Sequence, residues 1–195
     1  DAADAESIWI DLNNNQKYDE GEEAKVNTDR ADEYSKTGAT VTIYGAVREL
    51  TVNLQALSSL VVSGNEKLQV LNCYKNKLTS LDLSKNKELT HLTCRNNQLT
   101  RLDLTANGKL QSLDCAGNNL ADLKLNPSAP LQKVNLSSNQ FIGWSAAGYA
   151  QLEEVACFGN FISSEKMTTL IRSLPVRTAE NPGSLYMVDT EEFPN

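Results

Sequence analysis

Oxygen-bearing side chains recur at a regular spacing near the start of the chain. Counted from Asp11, they occupy positions 1, 3, 5, 9 and 12 of a twelve-residue loop, with Lys17 at position 7. Calcium is a hard ion that takes about six to eight oxygen ligands, so the chain has to coil round it, and position 7 then supplies a backbone carbonyl. The spacing therefore predicts a structural calcium site. Its predicted ligands are Asp11, Asn13, Asn15, Lys17, Asp19 and Glu22.

Two features of this loop leave a second interpretation open. Position 6 is Gln16, where an EF-hand loop has the glycine of its sharp turn. The flanking residues have the pattern of a strand and a loop rather than of two helices. The loop is similar to the DxNxNGxxDxGE loops of bacterial surface proteins, a resemblance that implies a structural ion. The alternative is a solvated turn rich in Asn and Asp.

The residue types give little support to catalysis. The chain has a single histidine, His91, at a solvent-facing position, and a Ser-His-Asp triad would have to use it. The sequence contains no nucleophile motif, phosphate-binding loop or zinc motif. Asp82 and Asp103 are stacked surface positions of a repeat rather than an acid–base pair. We therefore expect a protein that is not an enzyme.

The cysteines fall on a fixed interval. Cys73, Cys94 and Cys115 are 21 residues apart. Cys157 follows after twice that interval, and Leu136 fills the skipped position. If the units stack as strands, adjacent cysteines lie about 5 Å apart with parallel side chains, which suits disulfide torsions poorly, and more distant pairs lie beyond bridging reach. We expect buried free thiols that act as small apolar side chains.

The same interval governs the whole stretch from Val47 to Ile162, in which each unit has two half-turns of the form LxxLxLxxN. The two apolar residues of LxL point the same way because side chains alternate along a strand. A single unit cannot bury that face, whereas stacked units share one core. Asparagine after each strand can bond turn backbone groups, and its repetition predicts an internal ladder. One asparagine column comprises Asn76, Asn97, Asn118, Asn139 and Asn160.

This pattern resembles the leucine-rich repeat, and the short unit with a recurring cysteine resembles the internalin-type repeats of bacterial cell-surface proteins. The resemblance implies a curved solenoid with a parallel sheet on its concave side, which binds a protein ligand on that face. Residues 126–149 depart from the pattern, because NPSAP replaces a turn and GWSAAGYA lacks the second LxL. We expect an irregular solenoid there.

We therefore predict a β-rich solenoid of about 21 residues per unit with a cap at each end. Residues 1–46 form an N-terminal β cap with the acidic loop, 47–162 the solenoid, and 163–195 a C-terminal helix-strand cap and tail. The segments SIWIDL and ATVTIYG have strand patterns, and SLYMVD is the predicted last strand.

The predicted C-terminal helix has a clear start and stop. Ser163 or Ser164 can cap its N-terminus, and Pro175 ends it. An apolar stripe at i, i+3, i+4 and i+7 is expected to face the core. The stripe comprises Met167, Leu170, Ile171 and Leu174.

The composition limits the partners. The 195 residues carry a net charge of −7 and are 40% hydrophobic, which suits one domain and disfavours nucleic acid and anionic membranes as partners. No apolar run approaches the length of a membrane span. The start, DAADAE, is typical of a mature N-terminus behind a removed leader. We expect a monomer outside a bacterium or on its outer surface, with a lipid anchor as one means of attachment.

The outward positions of the cysteine-series strands vary in type from unit to unit and mix aromatic, basic and acidic side chains, as recognition surfaces do. We predict that this face binds a protein, with a glycan as a second ligand class. The alternative is a passive spacer in a larger surface protein. The predicted partner-binding residues are Tyr74, His91, Arg95, Asp114, Lys133, Glu154 and Phe158.

Overall fold

The computed structural model describes the backbone of residues 9–11, 24–25, 40–44 and 47–187, and the side chains of 47–187. Its elements are short strands separated by turns, followed by one helix and a last strand. The strands are β1 Trp9–Asp11, β2 Ala24–Lys25, β3 Thr40–Tyr44, β4 Glu49–Thr51, β5 Ser59–Val61, β6 Val70–Asn72, β7 His91–Thr93, β8 Leu102–Leu104, β9 Ser112–Asp114, β10 Leu123–Leu125, β11 Lys133–Asn135, β12 Glu154–Ala156 and β13 Ser184–Tyr186, and the helix is α1 Ser164–Ser173.

A seven-stranded parallel sheet, which we call the major sheet, runs in the order β4-β6-β7-β9-β11-β12-β13. Leu71 pairs with Leu92, and Leu92 with Leu113, so each step of the register is the 21-residue unit seen in the sequence. The last step, from Val155 to Leu185, is longer because α1 lies between β12 and β13. The predicted solenoid fold is confirmed.

The opposite side of the solenoid carries shorter sheets. Strands β8 and β10 pair in parallel as the minor sheet, with Leu102 opposite Leu123. Strand β5 belongs to the same leucine series, and β3 pairs with it in parallel. Strand β1 lies antiparallel to both β2 and β3. The strands predicted in SIWIDL and ATVTIYG are therefore present, and β3 continues the solenoid beyond its first unit.

One core of stacked apolar columns runs through the described units. The middle residue of each internal major-sheet strand is buried, as are the leucines of β8 on the minor side, whereas those of β10 are partly buried. The four cysteines are free and buried, as predicted. Burial raises the pKa of the Cys73 thiol to about 12, so this thiol is protonated and acts as an apolar side chain at neutral pH.

The predicted asparagine ladder is also present. Asn97 donates from Nδ2 to the carbonyl oxygens of Cys73 and Cys94, at 3.0 Å each. Its Oδ1 accepts the Leu78 N–H at 3.0 Å. One buried side chain thus satisfies backbone groups of two adjacent units, whose burial without partners would be costly. Equivalent bonds are made by Asn76, Asn118, Asn139 and Asn160.

The C-terminal helix agrees with the prediction in its bounds and differs in its buried face. Ser163 is the N-cap, accepting the Lys166 N–H at 3.4 Å, and Leu174 is the C-cap. Leu170 is fully buried, whereas Ile171 is 47% exposed. The prediction that Ile171 faces the core was therefore wrong, because the end of the solenoid covers a narrower stripe of α1 than the sequence pattern marks.

The irregular unit is organised by aromatic rings instead of a second LxL. Trp144 packs against the core where the other units place a leucine. Its ring stacks on Tyr149 with a centroid distance of 6.4 Å and an interplanar angle of 11°. The nearby Ala146 is buried. The predicted irregularity of this stretch is confirmed, and Trp144 and Ala146 stand where most other units have the two leucines of the second LxL.

Candidate functional site

The outer face of the major sheet consists of parallel rows, because equivalent residues of successive units lie side by side. We call them the first, third and fifth rows, counted from the first residue of each strand. The first row includes Val70, His91, Ser112, Lys133 and Glu154. The third row includes Asn72, Thr93, Asp114, Asn135 and Ala156. The fifth row, two residues beyond each strand, includes Tyr74, Arg95, Ala116, Ser137 and Phe158.

Three of the predicted residues make one contiguous group. The Arg95 guanidinium lies 5.6 Å from the centroid of the Tyr74 ring, and the Lys75 ammonium lies 5.6 Å from the same centroid. Arg95 Nη1 is also 3.8 Å from Asp114 Oδ2. Cations at this distance from an aromatic ring are attracted by its quadrupole. We call Tyr74, Lys75, Arg95 and Asp114 the Tyr74 cluster.

Backbone geometry at the strand ends places Lys75 in this cluster. Lys75 has a φ of 58°, in the left-handed region, and its N–H donates to the Arg95 carbonyl at 3.0 Å. Such a φ costs a non-glycine residue about 1 kcal/mol, which the stacked neighbours have to offset. The whole column adopts this conformation. It consists of Leu54, Lys75, Asn96, Gly117, Ser138 and Gly159.

Sequence reasoning missed this left-handed column and therefore omitted Lys75 from the site. The signal was available at Asn96, Gly117 and Gly159, which share the repeat interval and are the residue types that tolerate positive φ. A lysine does not indicate a positive φ, so Lys75 could not be recognised by its own residue type.

Asp114 combines a structural bond with a charge that burial disfavours. Its Oδ1 accepts the Ala116 N–H at 3.2 Å. Burial raises the pKa of the Asp114 carboxyl above its ordinary value, although the Ala116 N–H and the Arg95 guanidinium oppose that shift. Asn72 and Asn135 accept the N–H two residues on in the same way, at 3.3 and 3.1 Å. An uncharged amide therefore makes this bond in other units, and the charge of Asp114 is not needed for it.

The other predicted residues lie apart from the Tyr74 cluster. Lys133 and Glu154 form an ion pair on the first row, with 3.2 Å between Nζ and Oε2, and both are well exposed. His91 is exposed, and its Nδ1 lies 2.9 Å from Thr90 Oγ1. Phe158 is half-buried on the fifth row, three strands along the sheet from Arg95. The predicted residues thus form one compact group, one ion pair and two separate positions.

The minor side has a simpler polar pattern. The Oδ1 atoms of Asp82 and Asp103 accept the N–H groups of Ser84 and Thr105 at 2.9 and 3.1 Å. Hydrogen bonds from these residues hold the pKa of both carboxyls below the ordinary value. Both carboxylates therefore shape exposed turns, and neither has the raised pKa that a general acid requires at neutral pH.

The predicted calcium ligands fall outside the residues whose side chains are described, and only the backbone of Asp11 is included, in β1. The calcium site therefore stays a prediction. Between residues 47 and 187, no three His, Cys, Asp or Glu side chains are grouped so that they could hold a metal ion. In the described part of the chain, no helix is long and apolar enough to span a membrane.

The strand register and buried columns place this chain among the β-solenoids of the leucine-rich-repeat type. Among solved structures, it is similar to the functional domain of InlJ from Listeria monocytogenes, which includes a cysteine ladder, with 22% identity and a TM-score of 0.39. That match covers 73% of this chain and 44% of the other, so it spans less than half of the InlJ domain. No protein-family model matches the sequence, and no curated protein matches it.

Proposed function

We propose that this chain is a protein-binding module whose partner docks on the outer face of the major sheet, across the Tyr74 cluster. The observation that carries the proposal is the contact of one Tyr ring with two cations, beside a half-buried carboxylate. Tyr and Arg are among the residue types that contribute most to binding energy at protein interfaces. A preformed group of both types offers a partner an aromatic surface and directed hydrogen-bond donors.

The scaffold supports binding because it is already ordered around the cluster. Tyr74 N–H donates to Asn53 Oδ1 at 3.0 Å, and Asn97 bonds the carbonyls of Cys73 and Cys94, the residues that precede Tyr74 and Arg95. The backbone of Lys75 is bonded to that of Arg95 in the next unit. A surface fixed in this way loses little conformational entropy when a partner docks, which favours affinity.

The charge of Asp114 also supports a functional role. Its carboxylate is partly buried, and burial disfavours the ionised form. An asparagine accepts the same backbone bond in two other units without this disadvantage. Residues that lower stability without a structural benefit concentrate at functional sites. We propose that this unfavourable charge, which lies beside Arg95, marks the Tyr74 cluster as a functional surface.

We also propose a location and a cofactor. The likeness of the repeats to the internalin type favours the outer surface of a bacterium, with the module secreted or held by a lipid anchor. Protease treatment of intact cells, which degrades an external module and spares an internal one, tests this location. The oxygen spacing from Asp11 to Glu22 favours a structural calcium ion.

A display selection tests the binding function. A library of displayed protein fragments is selected on the wild-type chain, and the selected ligands are titrated against Tyr74→Ala/Arg95→Ala. The matched control is Asp103→Ala/Lys124→Ala, which removes an exposed ion pair of 3.9 Å from the minor sheet. We expect saturable ligands that lose at least about tenfold in affinity with the first double variant, because hot-spot truncations each cost ~1–2 kcal/mol.

Two outcomes contradict this proposal. Ligands that bind both double variants and the wild type equally would place the binding surface elsewhere. A selection that yields no saturable ligand would leave the chain as a passive spacer. The melting temperatures of both double variants should fall only slightly, because the first loses the contact between Arg95 and Asp114 and the second loses the bond from Thr105 to Asp103, both at the surface.

A further inference from the structure

We infer that the Tyr74 cluster binds an acidic segment of the partner protein, with a partner carboxylate received between Arg95 and Lys75. The inference rests on the proposed function, because it names the partner's chemistry at the same surface. The observation is a pair of cations held over one ring, at 5.6 Å each from its centroid.

The hydrogen-bonding capacity of these cations is largely unused. Arg95 Nη1 and Asp114 Oδ2 are 3.8 Å apart, which is longer than a hydrogen bond. Within residues 47–187, no carboxylate lies within hydrogen-bond distance of either the Arg95 guanidinium or the Lys75 ammonium. Arg95 is 47% exposed and Lys75 is exposed. A guanidinium has five N–H donors in a planar fork that fits a carboxylate. The unused donors of Arg95 can therefore bind a carboxylate of the partner.

The local charge favours an anion, although the chain as a whole is acidic. Lys75 and Arg95 supply two positive charges and Asp114 one negative charge, so the cluster is +1 (+2 − 1) within a chain of −7. The field of the whole chain repels a long polyanion. A short carboxylate group that touches only the cluster escapes most of this repulsion, because charges beyond about 8 Å are largely screened at physiological salt.

The rest of the same face favours a protein over an acidic glycan as the source of the carboxylate. The Lys133–Glu154 pair presents both signs of charge on the first row. A protein surface can match alternating signs along the sheet, whereas an acidic glycan carries only negative groups. The proposal is therefore an acidic polypeptide segment, and glycan binding is an outcome of the test.

The test uses a defined probe. A short peptide of alternating Glu and Gly, and the same peptide with Gln in place of Glu, are titrated to millimolar concentration against the isotopically labelled chain. Amide chemical shifts report both the affinity and the binding position. We expect the Glu peptide to shift the amides of residues 74, 75 and 95, and the Gln peptide to bind at least about fivefold more weakly.

Three variants test the sign of the charge. Arg95→Gln and Lys75→Gln should each weaken Glu-peptide binding by about fivefold. Asp114→Asn should strengthen it several-fold, because the cluster changes from +1 to +2 while the bond from Ala116 is kept. Lys109→Gln is the control, since it changes the net charge equally in an exposed pair with Glu88, away from the cluster.

The inference is overturned if the two peptides bind equally, if Asp114→Asn weakens binding, or if Lys109→Gln has as large an effect as Arg95→Gln. Sialyllactose binding at the cluster in place of the Glu peptide would also overturn it in favour of a glycan. Displayed ligands that depend on Tyr74 while the Glu peptide fails would reject the acidic partner and leave the binding function standing. Failure of both assays would reject both.

Discussion

Asp114 shows how one side chain can hold two roles with different energetic consequences. Its oxygen closes the turn to Ala116, as Asn72 and Asn135 close theirs. Its charge is partly buried, and the Ala116 N–H and the Arg95 guanidinium compensate that burial only in part. The two roles can be measured separately, because Asp114→Asn keeps the hydrogen bond from the Ala116 N–H and removes the negative charge.

We predict that Asp114→Asn raises the free energy of unfolding at neutral pH. Burial raises the folded-state pKa of Asp114 above the ordinary value of an aspartate, so between these two pKa values the native state holds more protons than the unfolded state. The free energy of unfolding of the wild type therefore falls as the pH rises through the folded pKa, whereas that of Asp114→Asn does not. Urea unfolding of both proteins from pH ~4 to neutrality measures this difference.

Asp82→Asn is the control for this prediction and has the opposite sign. Hydrogen bonds from Ser84 lower the pKa of Asp82, so its charge stabilises the fold above the unfolded pKa, and this contribution is lost as the pH falls through the folded value. Asp82→Asn should therefore be slightly less stable at neutral pH. If Asp114→Asn is also less stable there, the carboxylate has a stabilising partner that outweighs burial.

Asn97→Ala should destabilise the chain by about 3 kcal/mol or more. The change leaves the Cys73 and Cys94 carbonyls and the Leu78 N–H without their partner in a buried position, at ~1–3 kcal/mol for each group that finds no substitute. Urea unfolding measures the loss. The control is Asn119→Ala, an exposed asparagine of the adjacent turn, which should change stability by less than about 0.5 kcal/mol. Equal losses for the two variants would show that the ladder contributes nothing specific.

At the scale of the element, the tight turn after each major-sheet strand decides what the outer face presents. The left-handed column lets the chain leave the strand while its backbone still bonds to the next unit, as Lys75 N–H bonds to the Arg95 carbonyl. The column is closely stacked, because a Cβ at Gly117 would lie 2.2 Å from Asn96 Oδ1. The Tyr74 cluster is therefore supported by turns as much as by strands.

Gly117→Ala should lower stability by roughly 2 kcal/mol. Its φ of +63° costs an alanine about 1 kcal/mol, and the clash with Asn96 adds to that. Thermal and urea unfolding measure the change. Gly64→Ala is the matched control, since its Cβ would meet nothing within 4 Å, and it should be nearly neutral. A neutral Gly117→Ala would mean that the turn can relax without disturbing its neighbours.

The loop from Asp11 to Glu22 carries the calcium prediction. Millimolar calcium should raise the melting temperature, because an ion that binds only the folded state stabilises it by mass action. Asp11→Ala/Glu22→Ala should abolish the rise, since it removes the first and last predicted ligands. Magnesium at the same concentration is the control for ionic strength. Identical melting curves in calcium and in chelator would exclude the site.

At the scale of the whole molecule, the solenoid is stabilised by contacts between neighbours. Each unit packs on the next through the same columns, and the end units are covered on one side by β3 and on the other by α1 and β13. In such an array the stability of a unit depends mainly on itself and its neighbours, so damage at one end should stay local. The buried cysteines can show whether such damage stays local, because they lie at different distances from the C-terminal end of the solenoid.

Leu170→Ala should expose Cys157 to thiol reagents more than Cys73. Leu170 is fully buried under the last unit, and its truncation costs about 2–5 kcal/mol at that end. Both thiols are buried in the wild type, so labelling requires opening. Mass spectrometry after pulsed labelling gives the rate at each cysteine. Equal acceleration at both cysteines would show that the solenoid opens as one cooperative unit.

The fold was predictable because its signals are local and repeated. The alternation of LxL, the interval of 21 residues and the asparagine after each strand are each visible within one unit, and repetition leaves one way to stack them. The free cysteines followed from the same geometry. The helix bounds followed from Ser163 and Pro175, which act on the residues next to them.

Only the tertiary structure decided which outward residues meet and in what electrostatic state. The contact of Tyr74 with Arg95 joins residues of different units, and that of Lys75 with the same ring depends on a left-handed turn that a lysine does not signal. The raised pKa of Asp114 depends on burial by neighbouring units. The exposure of Ile171 depends on how far the solenoid end extends under α1. A sequence specifies periodicity within the chain, whereas contacts, burial and charge interactions arise only when the units are stacked.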